Sequence, residues 1–132
     1  MSEYYGGYGT KILTDQSAAS GTRLDQAVVA TRPLGKGRSV YVQCRMSTAS
    51  ATVGIGVILH EVAAAAAAPA SVIGVAAPGP QTATATTLRD GNGSGDYWTQ
   101  ILVFDGANAP HYEVRITTAP SAGTVDVLTW TV

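Results

Sequence analysis

The stretch SVYVQCRM (residues 39–46) decides the fold class of this chain. Its apolar residues Val40, Val42, Cys44 and Met46 alternate with Ser, Tyr, Gln and Arg. Alternation with a period of two is typical of a β-strand that buries one face. The stretch therefore predicts a half-buried strand with the four apolar side chains directed into a core.

The same alternation recurs in both directions along the chain. TVGIGVILH (52–60) places Val53, Ile55, Val57 and Leu59 on one face. Gly54 and Gly56 leave the other face open to the close approach of another backbone or a sheet. HYEVRITT (111–118) alternates in the same way, and YWTQILVF (97–104) predicts a central strand because it is apolar on both faces near its end. TVDVLTWTV (124–132) changes its apolar face between Val127 and Leu128, which predicts a bulge.

These segments and weaker candidates at 27–31, 71–75 and 82–87 are separated by turn-forming runs such as RPLGKG and DGANAP. The pattern predicts an all-β chain of about eight antiparallel strands in one β-sandwich or small barrel. We expect residues 1–22 to form an extended, flexible arm and residues 23–132 to form the sandwich. The exception to the strand pattern is the run Ala63–Ala68 before Pro69, which predicts an Ala-rich connection in preference to a single helical turn.

Charge is scarce in this chain. Only 13% of the 132 residues are charged, against about 25% in an average soluble domain. The formal charge of −1 argues against a nucleic-acid partner, and a single Cys excludes an internal disulfide. The sequence shows no signal peptide and no apolar run long enough to span a bilayer, so we expect a soluble chain made in a reducing cytoplasm. Such a sparsely charged surface indicates an adhesive module or a surface covered by partners.

The first residues combine Tyr4, Tyr5 and Tyr8 with three glycines. Glycine supplies backbone freedom, and tyrosine supplies a large contact area with a polar tip. This mixture is suited to an arm that docks onto a neighbouring subunit, with the three tyrosines as interface residues. The alternatives are a frayed terminus or a loop laid over its own domain.

One loop carries oxygen-bearing side chains at every second position: Asp90, Asn92, Ser94 and Asp96. Such spacing can wrap a calcium ion, but the position that would hold a bidentate Glu is Ile101. The same residues are favoured in a plain hairpin loop, which is the preferred interpretation. We therefore expect no metal and no cofactor.

No catalytic set is recognisable. Cys44 falls on an apolar strand face, where a thiol is inert, and His60 and His111 read as ordinary exposed residues, too few for a usual zinc site. The acidic residues show no spacing that would pair two of them at one site. Trp98 and Trp130 either stack on sugars or, as we favour, belong to the core. An enzyme is not expected.

With its Tyr/Gly arm at Tyr4–Gly9 and the strand series that follows, the chain resembles a bacteriophage capsid decoration (cement) protein of jelly-roll type. The resemblance implies a virion structural protein that forms homotrimers at three-fold positions of the capsid, made in the host cytoplasm and placed on the capsid surface. It would bridge neighbouring major capsid protein subunits and reinforce the shell against internal DNA pressure.

A carbohydrate-binding, lectin-like module of a tail or an adhesin is the competing hypothesis. It would use the Asp90–Asp96 loop for calcium and an aromatic platform for stacking on sugars. The feature against it is the lack of aromatic clusters in the loops, apart from Tyr97 and Trp98 beside the candidate metal loop.

Overall fold

The computed structural model describes residues 10–17, 31–63, 81–90 and 97–132. These residues form nine β-strands and no helix, and accordingly none of them belongs to a helix able to cross a membrane. In chain order the strands are β1 (Thr10–Ser17), β2 (Arg32–Pro33), β3 (Val40–Met46), β4 (Thr52–His60), β5 (Gln81–Asp90), β6 (Tyr97–Thr99), β7 (Leu102–Phe104), β8 (His111–Thr118) and β9 (Thr124–Thr131). The prediction of an all-β fold is confirmed, with nine described strands in place of about eight.

The strands form one continuous antiparallel sheet in the order β1-β9-β3-β6-β5-β4-β8-β2, and β7 pairs with β3 beside β6. β5 belongs to both halves of this sheet, because its residues 81–86 pair with β4 and Thr87 and Asp90 pair with β6. The sheet curls at β5, so that β1, β9, β3, β6 and β7 form one half and β4, β8 and β2 the other. A curled sheet of this kind is consistent with either a β-sandwich or a half-barrel.

The two halves share one core. The apolar faces predicted for β3, β4 and β8 are all buried in it: Val40, Val42, Cys44, Met46, Val53, Ile55, Val57, Leu59, Tyr112, Val114 and Ile116. A hydrogen bond joins the halves across the core, because the Tyr112 hydroxyl on β8 lies 3.3 Å from Oγ1 of Thr129 on β9. The alternation in the sequence thus identified the inner faces of these three strands.

Two glycines in β4 make room for β8, as their positions predicted. A Cβ atom added to Gly54 would lie 2.7 Å from Oγ1 of Thr117 and 2.9 Å from the backbone nitrogen of Thr118, which is closer than real Cβ contacts. The pairing of β4 with β8 shifts its register between Gly54 and Ile55. The approaching backbone is therefore that of the adjacent strand in the same sheet.

The sheet begins earlier than the predicted boundary at residue 23. Thr10–Ser17 form β1, which pairs with β9, and Leu13 is buried in the core opposite Val127. The buried Leu13 side chain fixes β1 to the core, although the sequence assigned this segment to the flexible arm. Tyr4, Tyr5 and Tyr8, the predicted contact residues of the arm, lie outside the described residues.

The bulge predicted in β9 is not found there, and the register shifts lie in its pairing with β1. The register of β9 against β3 runs without a shift from Thr131 to Val125. The shifts occur in the pairing with β1, between Lys11 and Leu13 and between Leu13 and Gln16. The side chain of Leu128 thus points to the outer face of the sheet, where it is nevertheless buried.

The segment 97–104 is two short strands where one central strand was predicted. β6 and β7 both pair with β3, and they are separated at Gln100 and Ile101. At the break the Thr99 hydroxyl accepts a hydrogen bond from the backbone of Cys44 (3.0 Å), and its carbonyl accepts one from the Gln43 side chain (3.0 Å).

Two glutamine side chains complete the connection between this segment and β5. The Gln100 amide accepts from the backbone nitrogen of Thr86 (3.0 Å) and donates to the carbonyl of Thr84 (3.1 Å). The Gln81 amide makes the same pair of bonds with the backbone of Asp105, at 3.2 and 2.8 Å. Each side chain therefore occupies the place that a peptide group has in an ordinary ladder.

Candidate interaction surface

A group of half-buried aromatic and exposed aliphatic side chains lies on the outer face of the first half of the sheet. Val103 on β7, Tyr41 on β3 and Trp130 on β9 are direct cross-strand neighbours in one row, and residues paired in this way project from the same face. The rings of Tyr41 and Trp130 are 5.7 Å apart and tilted by 57°. Val103 is 60% exposed and Val132 is 56% exposed.

Ile101 and Val132 extend the row. Ile101 precedes Val103 by two residues, and Val132 continues β9 through hydrogen bonds with the backbone of Ser39 at 2.7 and 3.0 Å. We call this group the outer aromatic patch; its members are Tyr41, Ile101, Val103, Trp130 and Val132. It contains no charged side chain.

The ion pairs on this face lie further along the strands, where two cationic side chains share one carboxylate. The Arg45 guanidinium is 2.5 Å from the Asp126 carboxylate, which also pairs with Lys11 at 3.6 Å. The buried side chains of Gln43 and Leu128, neighbours in the register of β3 and β9, separate these ion pairs from the outer aromatic patch. A partner could therefore cover the patch without removing a charge from water.

Both tryptophans were expected in the core; Trp98 is buried, whereas the expectation was wrong for Trp130. Trp98 is buried on the outer face, and the guanidinium of Arg45 lies 5.9 Å from the centre of its ring. Trp130 is half-buried in the outer aromatic patch. Tyr41 and Val103 were not identified from the sequence as surface candidates. Both occupy outward positions of their strands, and a large apolar side chain at such a position is the signal of a contact surface.

Both outer strands of the described sheet discourage pairing with a further strand. β1 is interrupted by its two register shifts, and the Gln16 amide donates to the carbonyl of Thr14 at 3.0 Å. β2 has only two residues, and Pro33 has no N–H to donate. Short, irregular or proline-bearing edges of this kind hinder edge-to-edge association. Contact through a face of the sheet is therefore favoured over contact through its edges.

The second half of the sheet carries a buried polar cluster on its outer face. His60 was expected to be exposed but is 1% exposed, and Glu113, which the alternation of HYEVRITT (111–118) directs away from the core, is 6% exposed. Nε2 of His60 lies 3.0 Å from one Glu113 oxygen, and Nε of Arg115 lies 2.5 Å from the other. The expectation for His60 was wrong because strand alternation tells which face a side chain occupies and not whether that face is covered. His111, on the same face of β8, is half-buried.

This cluster is arranged for charge pairing and not for catalysis. With Arg115 bound to Glu113, the carboxylate accepts hydrogen bonds, and His60 donates through Nε2. Nδ1 of His60 is buried and has no hydrogen-bond partner in the part of the chain that the structure describes. A general base needs a nitrogen that reaches its substrate, and neither ring nitrogen of His60 is accessible.

Cys44 is buried as predicted, and burial raises the pKa of its thiol to about 12. A thiol that remains protonated and inaccessible is a poor nucleophile. The sulfur therefore behaves as a small apolar side chain of the core.

Of the candidate calcium ligands, for which a plain hairpin loop was preferred, only Asp90 is among the described residues. Asp90 ends β5 and pairs with Tyr97, as expected for the two ends of a hairpin, while Asn92, Ser94 and Asp96 lie outside the described residues. Within the described ranges, no three His, Cys, Asp or Glu side chains come together as metal ligands. Ala63 is exposed, and the rest of the Ala63–Ala68 run is also outside the described residues.

No protein-family model, curated protein or solved structure matches this chain. The outer aromatic patch is therefore the feature from which a function is inferred.

Proposed function

We propose that this chain is a non-enzymatic structural protein that assembles with other proteins through a face of its sheet. In its finer form the proposal is a virion protein that decorates a bacteriophage capsid as a homotrimer and bridges major capsid protein subunits. The observation that carries it is the outer aromatic patch, an uncharged and exposed surface between two sheet edges that discourage strand addition.

The chemistry of the patch fits a protein partner. Burial of apolar surface contributes about 25 cal/mol per Å², and a patch without charges avoids the cost of desolvating them. Tyr and Trp are the residues most enriched where protein interfaces bind tightly. In a symmetric oligomer each weak contact is repeated, so that several copies together bind a capsid lattice more tightly than one copy does.

The geometry of the patch is less suited to a sugar. Because the rings of Tyr41 and Trp130 are tilted by 57°, a pyranose ring could lie flat on only one of them. Flat aromatic surfaces that extend across several rings would favour the lectin-like alternative, and the described residues contain none on this face. Glycan binding is thus an outcome of the test below and not a second proposal.

The test is co-sedimentation of the purified full-length protein with capsids of the phage that encodes it, prepared without this protein. Val103→Glu places a charge in the patch, and Val62→Glu is its matched control, because Val62 is 56% exposed at the far end of β4. We expect the wild type and Val62→Glu to sediment with capsids and Val103→Glu to remain in solution. Two results would refute the proposal. In the first, all three proteins bind capsids equally; in the second, none of them binds capsids and the wild type gives a positive signal on a glycan array.

A further inference from the structure

We propose that the outer aromatic patch binds the N-terminal segment of a second copy of this chain, residues 1–9 (MSEYYGGYG). The inference rests on the proposed function, because it names the contact by which the copies assemble. In this arrangement the patch joins the copies to one another, and Val103→Glu would release the protein from capsids by removing the repeated contacts of the oligomer.

The position of β1 supports this occupant. Thr10 is the first residue of β1 and pairs with Thr129, so β1 begins beside Trp130, at the border of the patch. The nine residues before Thr10 span up to about 30 Å when extended. The patch extends over three adjacent strands, β7, β3 and β9, which is about 10 Å at the usual strand spacing. The segment is therefore long enough to cross the patch of an adjacent copy.

The segment and the patch are also chemically matched. The segment offers Tyr4, Tyr5 and Tyr8, and its glycines allow the backbone to adapt to the surface. Tyrosine rings pack well against Tyr and Trp in tilted or edge-to-face arrangements, such as the one that Tyr41 and Trp130 already adopt.

The distribution of charge at the rim agrees with this match. Glu3 is the segment's one charged side chain. Lys36 and Arg38 are exposed in the turn that precedes Ser39, and Ser39 is hydrogen-bonded to Val132 of the patch. An acidic residue beside a basic rim favours the docked arrangement and fixes its direction.

The segment comes from a second copy because the proposed function requires a contact between copies. Val103 and Val132 are more than half exposed in the single chain, so the patch is open to another molecule. A contact between the segment of one copy and the patch of the next is head-to-tail, and such a contact generates a closed ring when its rotation is suitable. Every copy then offers one segment and one patch.

The experiment measures the mass of the full-length protein by light scattering over a range of concentrations. The segment variant carries Tyr4→Ser, Tyr5→Ser and Tyr8→Ser, the patch variant is Val103→Glu, and Val62→Glu is the control. We expect the wild type and the control to exceed the single-chain mass of 13.5 kDa. Both the segment variant and the patch variant should remain single chains, with association weakened about tenfold or more. Circular dichroism checks that every variant is folded.

Mixing the two variants tests whether the contact forms between copies. The segment variant keeps an intact patch and the patch variant keeps an intact segment, so an equimolar mixture should form a complex of two chains. Any one of three results would overturn the inference. The wild type could remain a single chain at all concentrations, the segment variant could assemble as the wild type does, or the mixture could form no complex.

The outcome can be separated from that of the proposed function. If wild-type chains stay single and yet bind capsids in a patch-dependent manner, the inference fails while the proposed function stands. If the variants behave as expected in light scattering and the wild type does not bind capsids, the inference stands and capsid decoration fails.

Discussion

Alkaline pH should destabilise this protein through one buried thiol. Burial is the main reason that the pKa of Cys44 is raised from 9.0 to about 12; the nearby Asp126 carboxylate raises it further, and a hydrogen bond with Thr99 opposes the shift. The thiol of the unfolded chain ionises near its ordinary pKa. The two states therefore bind different numbers of protons over the interval between these two values.

The sign and size of the effect follow from that difference. Above about pH 9 the unfolded chain loses the thiol proton and the folded protein keeps it, so the free energy of unfolding decreases as the pH rises. The decrease is about 1 kcal/mol for each pH unit, or about 2 kcal/mol near pH 10.5, and it stops near the folded pKa. Below the ordinary pKa both states are protonated, and no contribution is expected.

The assay is urea unfolding of the wild type and of Cys44→Ala at a series of pH values. The alanine variant loses a constant amount of core packing at every pH, and every other ionisable group is common to the two proteins. The difference in unfolding free energy between the two proteins therefore isolates the thiol. We expect the wild type to lose its advantage progressively above pH 9. A difference that stays constant across the alkaline range would refute the assignment of Cys44 to a dry core.

Two further predictions concern a turn and a buried carboxylate. Gly106→Ala should lower the free energy of unfolding by about 2–4 kcal/mol, because the new Cβ would overlap the carbonyl oxygen of Arg38. Ala107→Gly should instead raise it by up to about 1 kcal/mol, because Ala107 has a φ of 46°; urea midpoints that move in the same direction for both variants would contradict this turn geometry. Glu113→Gln should cost about 2 kcal/mol, since the carboxylate joins a buried histidine and a largely buried arginine. The exposed Glu61→Gln is its control and should change thermal stability by less than about 0.5 kcal/mol; an equal loss in both variants would argue against the buried ion pair.

The inner faces of the strands were predictable because one physical rule governs them. Side chains of a strand alternate between two faces, and one face must be apolar to form a core. For that reason the inward directions of Val40, Val57 and Val114 could be read from the sequence. Leu13 obeys the same rule, but the Gly-rich and polar residues around its strand obscured it.

The outer faces were not predictable by the same rule. The alternation placed His60 and Glu113 on the polar side, and the structure covers that side. It also placed Tyr41 there, and the structure leaves it partly open beside Trp130. Whether an outward side chain meets water depends on contacts between segments distant in sequence, which a local pattern does not contain. The outer aromatic patch therefore became visible only in three dimensions.

Where the sheet curls, the side chains of Gln81 and Gln100 join neighbouring segments, and mutation can change a side chain. A backbone ladder has a fixed reach, since every peptide group has the same dimensions. A side-chain bridge can be shortened by one methylene group through Gln→Asn or removed by a single replacement, while the flanking strands keep their own hydrogen bonds. Two replacements could thus alter the hydrogen bonds that join β5 to this segment without changing the backbone ladders of the flanking strands.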